Sequence, residues 1–354
     1  MERNQYSPSD GDHKLLRPQA QDKAPEKIYP PIAEVVKDSR WEGVLLVRSA
    51  EQRVASNGSK YLDMTLCDRS GDINAKVWDG NTPPPEIGRA VRVRGQVLEY
   101  NGRLQFRVER MRAVAADEKI PAETLVPCAP EDPALMLSEV RGAANAIASE
   151  GLRKLTNALL DQAGDALLHY PAAQKLHHAE RSGLLHHTVG MLRLAKAFAS
   201  LYDALDGDLL AAGVIAHDLA KITELQSDEF GMVREYTTEG LLIGHLVRGV
   251  VNIEQAGKDA GVDPYTVLLM QHMILAHHGE AEYGSPRKPM FPEAEVLHII
   301  DQADAHIFEM TAAIQKLRPG AFSEKIWSLE RRLYKIDRKD NLPSDEQGGP
   351  LDAH

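Results

Sequence analysis

The chain has 354 residues, 43% hydrophobic and 26% charged, which is length enough for two domains with separate cores. Its longest apolar runs break within about a dozen residues, which excludes a membrane-spanning helix and a membrane partner. The net charge of −11 weighs against nucleic-acid binding until it is divided: residues 1–30 balance, residues 31–115 carry 14 Lys and Arg against 11 Asp and Glu, and residues 116–354 hold the remaining −14.

The opening "MERNQYSPSDGDHKLLRPQAQDK" has no apolar core of the signal-peptide kind, and residues 1–30 read as a polar leader without fixed structure. The two cysteines, Cys67 and Cys128, stand far apart without a partner motif, which predicts a reduced, cytoplasmic protein. Residues 31–115 then change texture. "GVLLVRSAEQRVAS" runs to Asn57-Gly58, a hairpin signal, and on to "KYLDMTL", "INAKVW", the loop "DGNTPPPEIG" and "RAVRVRGQVLEY". After Asn101-Gly102 comes "RLQFRVERMRAV". Five short strands with this spacing fit a closed β-barrel of the OB type.

Residues 116–135, with four prolines in "ADEKIPAETLVPCAPEDPAL", read as a linker. From 136 to 336 the pattern is helical: "LRKLTNALLDQ", "GLLHHTVGMLRLAKAFASLY", "DLLAAGVIAHDLAKITEL", "EGLLIGHLVRGVVNIEQA", "PYTVLLMQHMILAHH" and "EAEVLHIIDQADAHIFEMTAAIQKL" place apolar residues at i, i+3, i+4 and i+7. Residues 337–354 read as a polar, flexible tail. The predicted fold class is a multidomain α+β chain, a five-stranded OB-type barrel followed by an all-α domain.

Twelve of the fourteen histidines fall between residues 169 and 306, where even scatter by length would place about five or six. His169, His272, His298 and His306, each taken alone, read as ordinary core or surface residues. The set His187, His217, Asp218, His245, His277, His278 and Asp301 is different, because each lies on or just after an apolar helical stretch. A buried carboxylate beside imidazoles is costly unless a cation sits between them. Imidazole nitrogen with carboxylate oxygen suits Mn, Fe, Co, Ni or Zn, and two carboxylates with four or five imidazoles exceed what one ion can use. The count therefore predicts two divalent metal ions, with Asp218 bridging; it does not choose among these metals, of which manganese is taken first.

This ordered set, H…HD…H…HH…D with the doublet at His217-Asp218, resembles the HD phosphohydrolase superfamily. "HHAERSGLLHHTVGMLRLA", "DLLAAGVIAHDLAKITEL", "YTTEGLLIGHLVRG" and "HMILAHHGEAEYGSPRKPMFPEAEVLHIIDQADA", behind an OB-like barrel, resemble more narrowly the YhaM-type 3'-5' exoribonucleases over residues 30–335. The resemblance implies that His187, His217, Asp218 and Asp301 hold one ion, and that His245, His277 and His278 hold the second while sharing Asp218. His186 stands where the family usually has Glu, which leaves open whether His186 or His187 is the first ligand. Ser182-Gly183 replaces the usual Gly-Gly.

The activity implied is hydrolysis of phosphodiester bonds in single-stranded RNA, with single-stranded DNA as a further substrate. Two cations a few Å apart bring water toward ionisation at neutral pH and clamp the phosphate oxygens. Lys221, one turn beyond His217, is placed to contact the scissile phosphate or to assist the leaving oxygen. His177 and His178 before the first ligand helix, and Arg287 and Lys288 after the His277-His278 pair, are candidate phosphate contacts. In the barrel, Tyr61, Trp78 and Tyr100 with Lys76 and Arg103 are candidates for stacking bases in a basic groove, Trp78 and Phe106 reading equally well as core. Two other functions fit less of the sequence. A hydrolase of cyclic dinucleotides or deoxynucleoside triphosphates would need no barrel, and "EYGSP" lacks the Gly-Tyr-Pro of the cyclic dinucleotide enzymes. A non-catalytic RNA-binding regulator would need a degenerate ligand set, whereas every core ligand type is present. Long apolar helices and the family resemblance favour a homo-oligomer.

Overall fold

A computed structural model of the chain describes residues 30–115, 118 and 120–337. The leader expected over 1–30 and the tail over 337–354 lie outside the described residues apart from one residue each. Five strands, β1 (Arg40–Val54), β2 (Lys60–Asp68), β3 (Gly71–Val77), β4 (Ala90–Tyr100) and β5 (Arg103–Ala113), close into a barrel in the order β1-β2-β3-β5-β4. Inward residues alternate with outward ones: Leu62, Met64 and Leu66 on β2 and Val91, Val93 and Val97 on β4 fill the interior around Phe106 and Trp41.

The turns explain the register. Asn101 and Gly102 both take positive φ, 50° and 74°, as a two-residue hairpin turn between Tyr100 and Arg103 requires. At Asn57-Gly58 the loop is longer, spanning Ala55 to Ser59 between the paired Val54 and Lys60. Strand β1 is long enough to pair with β4 through Arg40–Leu46 and with β2 through Leu46–Val54, with a bulge near Val47, and this bend lets a five-stranded sheet close. A parallel contact between β3 and β5 completes the barrel.

The linker expected over 116–135 is, in its described residues, packed structure. It contains α1 (Ala122–Leu125) and the start of α2 (Pro133–Ala146), which Asp132 caps by accepting from the backbone of Ala134 and Leu135. Leu125 and Val126 are buried with Leu46 and Cys67 of the barrel, and Phe230 and Met232 of the helical part pack on the same cluster. Arg89 of the barrel pairs with Glu229 at 3.4 Å, and Arg234 donates to the Ile87 carbonyl.

The helical part continues with α3 (Glu150–Ala163), α4 (Gly183–Leu201), α5 (Gly207–Ala216), α6 (Lys221–Glu224), α7 (Thr238–Leu242), α8 (Gly244–Asp259), α9 (Pro264–Ala276) and α10 (Pro292–Gln315). Two expected helices are each broken in two. Residues 217–220 form turns between α5 and α6, and Ile243 separates α7 from α8, which opens on the positive-φ Gly244 (74°). The expected all-α domain also holds a hairpin, β6 (Leu225–Ser227) with β7 (Val233–Tyr236). Helix α5 is apolar from Leu209 to Ala216 and sits at the centre, packed by α3, α4, α9 and α10. Gly213 keeps α9 close, since a Cβ there would lie 2.3 Å from Met273 Cε. Among the described residues no helix is long and apolar enough to cross a membrane.

Candidate metal centre and nucleic-acid interface

The central helix ends where the chemistry begins. His217 follows the last residue of α5, and its Nδ1 lies 2.7 Å from the Val214 carbonyl oxygen. His277, just after α9, repeats the device with the Ile274 carbonyl at 2.7 Å. His245, at the start of α8, has Nδ1 3.0 Å from each carboxylate oxygen of Glu224. A carbonyl or carboxylate can only accept, so Nδ1 carries the proton in all three rings and Nε2 is left as a lone pair.

All three lone pairs face Asp218. Asp218 Oδ2 lies 3.3 Å from His217 Nε2, while Oδ1 lies 3.6 Å from His245 Nε2 and 3.8 Å from His277 Nε2. Among the described residues five buried side-chain polar atoms lack a hydrogen-bond partner, and four are His217 Nε2, Asp218 Oδ1, His245 Nε2 and His277 Nε2. Lone pairs facing a carboxylate in a buried pocket repel and leave desolvation uncompensated, so the arrangement suits only a positive charge placed among them. The donor set fits divalent cations.

The remaining predicted ligands join this centre. On α4, His187 sets Nε2 3.1 Å from Asp301 Oδ1 of α10. Ligand atoms of His187, His217 and Asp218 lie within 4.8 Å of one another, as do those of His217, His277 and Asp301, and those of His245, His277 and His278. His186 turns away toward Glu180, with its Nδ1 2.8 Å from Oε1, so His187 is the member of the pair that faces the centre. Five helices thus each deliver a side chain at or beside their ends or along one face.

Electrostatics agree with the geometry. Burial opposes a charge on His187, but hydrogen bonds with Asp301 and Asp304 raise it to about 9, a measure of how strongly this pocket favours positive charge. Burial also pushes Asp218 upward, yet Lys221 and His217 overcome it and hold the carboxyl well below the usual range. Lys221 Nζ sits 2.7 Å from Asp218 Oδ2, nearly buried beside the ligands. Burial, then Lys221, lowers His177 to about 3, so this ring, 5.4 Å from that of His187, is neutral.

His178 is a correction. Rather than meeting a phosphate, it is 2% exposed, lies against the Phe308 ring at 4.0 Å and places Nε2 2.8 Å from Asp304 Oδ2. Arg287 and Lys288 do lie exposed on their loop, with Lys288 Nζ 2.9 Å from Glu280. On the barrel, Tyr61 and Trp78 stack at 4.8 Å, and Trp78 is 51% exposed, which removes it from the core. Lys76 Nζ lies 5.0, 5.9 and 6.0 Å from the rings of Tyr61, Trp78 and Tyr100. Tyr100 and Arg103 line a cavity of about 870 Å³ with Asn74 and Gln105. Phe106 is core, edge-on to Trp41.

Three supporting carboxylates were not identified from sequence: Glu224 behind His245, Asp304 behind His187 at 2.7 Å from Nδ1, and Glu180 behind His186. Asp304 alone left a trace, one helical turn after Asp301 in "DQADA".

Comparison with known proteins places both parts. Residues 184–306 match the HD domain family, and residues 43–114 match the OB-fold nucleic acid binding domain family. The chain is 39% identical over 293 residues to the 3'-5' exoribonuclease YhaM of Bacillus pumilus (strain SAFR-032), covering 82% of this chain and 92% of that protein. It is 40% identical over 297 residues to the YhaM of Shouchella clausii (strain KSM-K16), covering 83% and 92%, and 39% identical over 295 residues to that of Bacillus subtilis (strain 168), covering 82% and 92%. With its barrel preceding an HD domain and this identity over nearly the full length of those relatives, the chain belongs to the family of the YhaM 3'-5' exoribonucleases.

Proposed function

We propose that this chain is a metal-dependent 3'-5' exoribonuclease that hydrolyses single-stranded RNA with a pair of divalent cations. The observation that carries the reading is the convergence of four unpartnered buried atoms, His217 Nε2, Asp218 Oδ1, His245 Nε2 and His277 Nε2. His187, His217, Asp218 and Asp301 would hold one ion, and His245, His277 and His278 the other, with Asp218 shared. Bound there, the cations supply the charge that makes water nucleophilic near neutral pH and offsets charge on the phosphate. Manganese is the first ion to test, before iron, cobalt, nickel and zinc.

The protein's own groups do the rest. Asp304 and Glu224 hold His187 and His245 in fixed tautomers and orientations. Lys221 presents an ammonium beside Asp218, within reach of a phosphate entering the centre. Tyr61, Trp78 and Tyr100 offer exposed or half-exposed faces for bases, with Lys76 and Arg103 for the backbone. Arg287 and Lys288 add cations near the His277-His278 pair. Exposed Leu241, Leu242, Val247 and Val251 on α7 and α8 support a homo-oligomer, and the two free cysteines support a cytoplasmic location.

The test is a 5'-labelled oligoribonucleotide incubated with the protein and Mn²⁺, beside single-stranded DNA, a cyclic dinucleotide and deoxynucleoside triphosphates. A ladder shortening from the 3' end is the expected result. Cleavage of the small nucleotides alone, or retention of the strand without cleavage, would overturn the proposal.

A further inference from the structure

We propose that His178, Glu180 and His186 form a third divalent-cation site, behind the catalytic pair, suited to a first-row ion such as zinc. Their ligand atoms converge on one point. His186 Nδ1 lies 2.8 Å from Glu180 Oε1 and 3.2 Å from His178 Nδ1, and Glu180 Oε1 lies 3.8 Å from His178 Nδ1. Tetrahedral ligands about 2.0–2.2 Å from a shared zinc stand about 3.3–3.6 Å apart, which these separations bracket.

The protons also favour an ion. His178 Nε2 faces the Asp304 carboxylate at 2.8 Å and donates to it, so a neutral His178 ring leaves Nδ1 as a lone pair. That lone pair and Glu180 Oε1 both face His186 Nδ1, which has a single proton to share between them. A cation satisfies all three acceptors at once when the His186 proton moves to Nε2.

The backbone is bent to make this pocket. His178 and Ser182 both take left-handed φ, 50° and 65°, on either side of Glu180, a conformation that non-glycine residues adopt at some cost. Gly183 lets the loop close onto the first turn of α4, since a Cβ there would lie 2.0 Å from the His178 carbonyl oxygen. Side chains of His178, Glu180 and His186 are only 3, 12 and 22% exposed, so the pocket is shielded yet reachable from one side.

The site connects to catalysis through one carboxylate. Asp304 Oδ2 lies 2.8 Å from His178 Nε2 and 2.7 Å from His187 Nδ1. A cation on His178 draws electron density from Asp304 and fixes its position, making His178, Glu180 and His186 positioning residues for His187.

Metal counting tests this directly. The full chain is stripped with chelator, reloaded with zinc alone, desalted and assayed by inductively coupled plasma mass spectrometry. We expect about three ions per chain in the native protein and about two in Glu180→Gln and in His186→Gln, either variant sufficing if the other does not fold. The double variant His217→Gln with Asp218→Asn is expected to retain the ion in the loop pocket. About two ions in the native chain, unchanged by both loop substitutions, would overturn the third site and leave the catalytic pair standing. An ion lost in Glu180→Gln but kept in the His217→Gln, Asp218→Asn variant supports the third site whatever becomes of the pair.

Discussion

Glu224 offers the sharpest test of how the centre is held. Its carboxylate lies 3.0 Å from His245 Nδ1 through both oxygens, and Oε1 also accepts from the His245 backbone N–H at 3.1 Å. Burial works against the charge on Glu224, but these bonds hold its carboxyl below the ordinary value. Glu224→Ala removes both the acceptor and the charge, freeing the ring to rotate or to move its proton to Nε2. Removing a carboxylate that orients a ligating imidazole costs about 10–100-fold in metal affinity, or about 1.4–2.7 kcal/mol. Glu224→Gln keeps an amide oxygen for Nδ1–H and loses only the charge, so its effect falls at the lower end of that range. The backbone carbonyl of Glu224, which accepts from Thr237 at 2.9 Å, is untouched by either change, so the fold is retained. The assay is calorimetric titration of Mn²⁺ into the chelated protein, which resolves a weakened second ion beside an unaltered first, followed by turnover at rising Mn²⁺. Unchanged affinity for both ions in Glu224→Ala would refute the assignment of His245 as a ligand oriented by Glu224.

Three further outcomes follow from the same structure. Asp218→Asn preserves shape but removes the shared charge, so turnover on a labelled oligoribonucleotide drops to background while the circular dichroism spectrum stays native; residual turnover near the native rate would show that Asp218 is not shared between ions. Trp78→Ala removes one face of the Tyr61 stack, weakening binding of a long strand by about 1–3 kcal/mol, with the loss shrinking as the strand is shortened in a fluorescence titration. Chelation destabilises the helical domain, because an ion at one hundred times its Kd contributes about 2.7 kcal/mol to the folded state; thermal melts with and without Mn²⁺ measure the difference.

What the sequence made legible was whatever breaks a local rule. The strands stand out because Asn101-Gly102 forces a turn and because apolar residues alternate beside it. His217, Asp218 and Asp301 stand out because nothing else explains polar groups that interrupt apolar stretches of helical period. The supporting carboxylates break no rule. Asp304 reaches His178 across 126 residues of chain and His187 across 117, and no local pattern encodes such a contact. The breaks after α5 and before α8 were hidden by unbroken helical periodicity, though Gly244 marks the second. In the proline-rich stretch, Asp132-Pro133 was a helix start rather than a loop, since proline at the first helical position loses no intrahelical bond. Buried Leu125 and Val126 carry too short a pattern to reveal that they seal the barrel against the helices.

Diffraction from crystals soaked in manganese, recorded on the high-energy side of its absorption edge, tests the central claim most directly. The account predicts two anomalous peaks flanking Asp218, one within bonding distance of His187, His217 and Asp301 and the other beside His245, His277 and His278. A pocket without such peaks, or with manganese bound only by other residues, would contradict it.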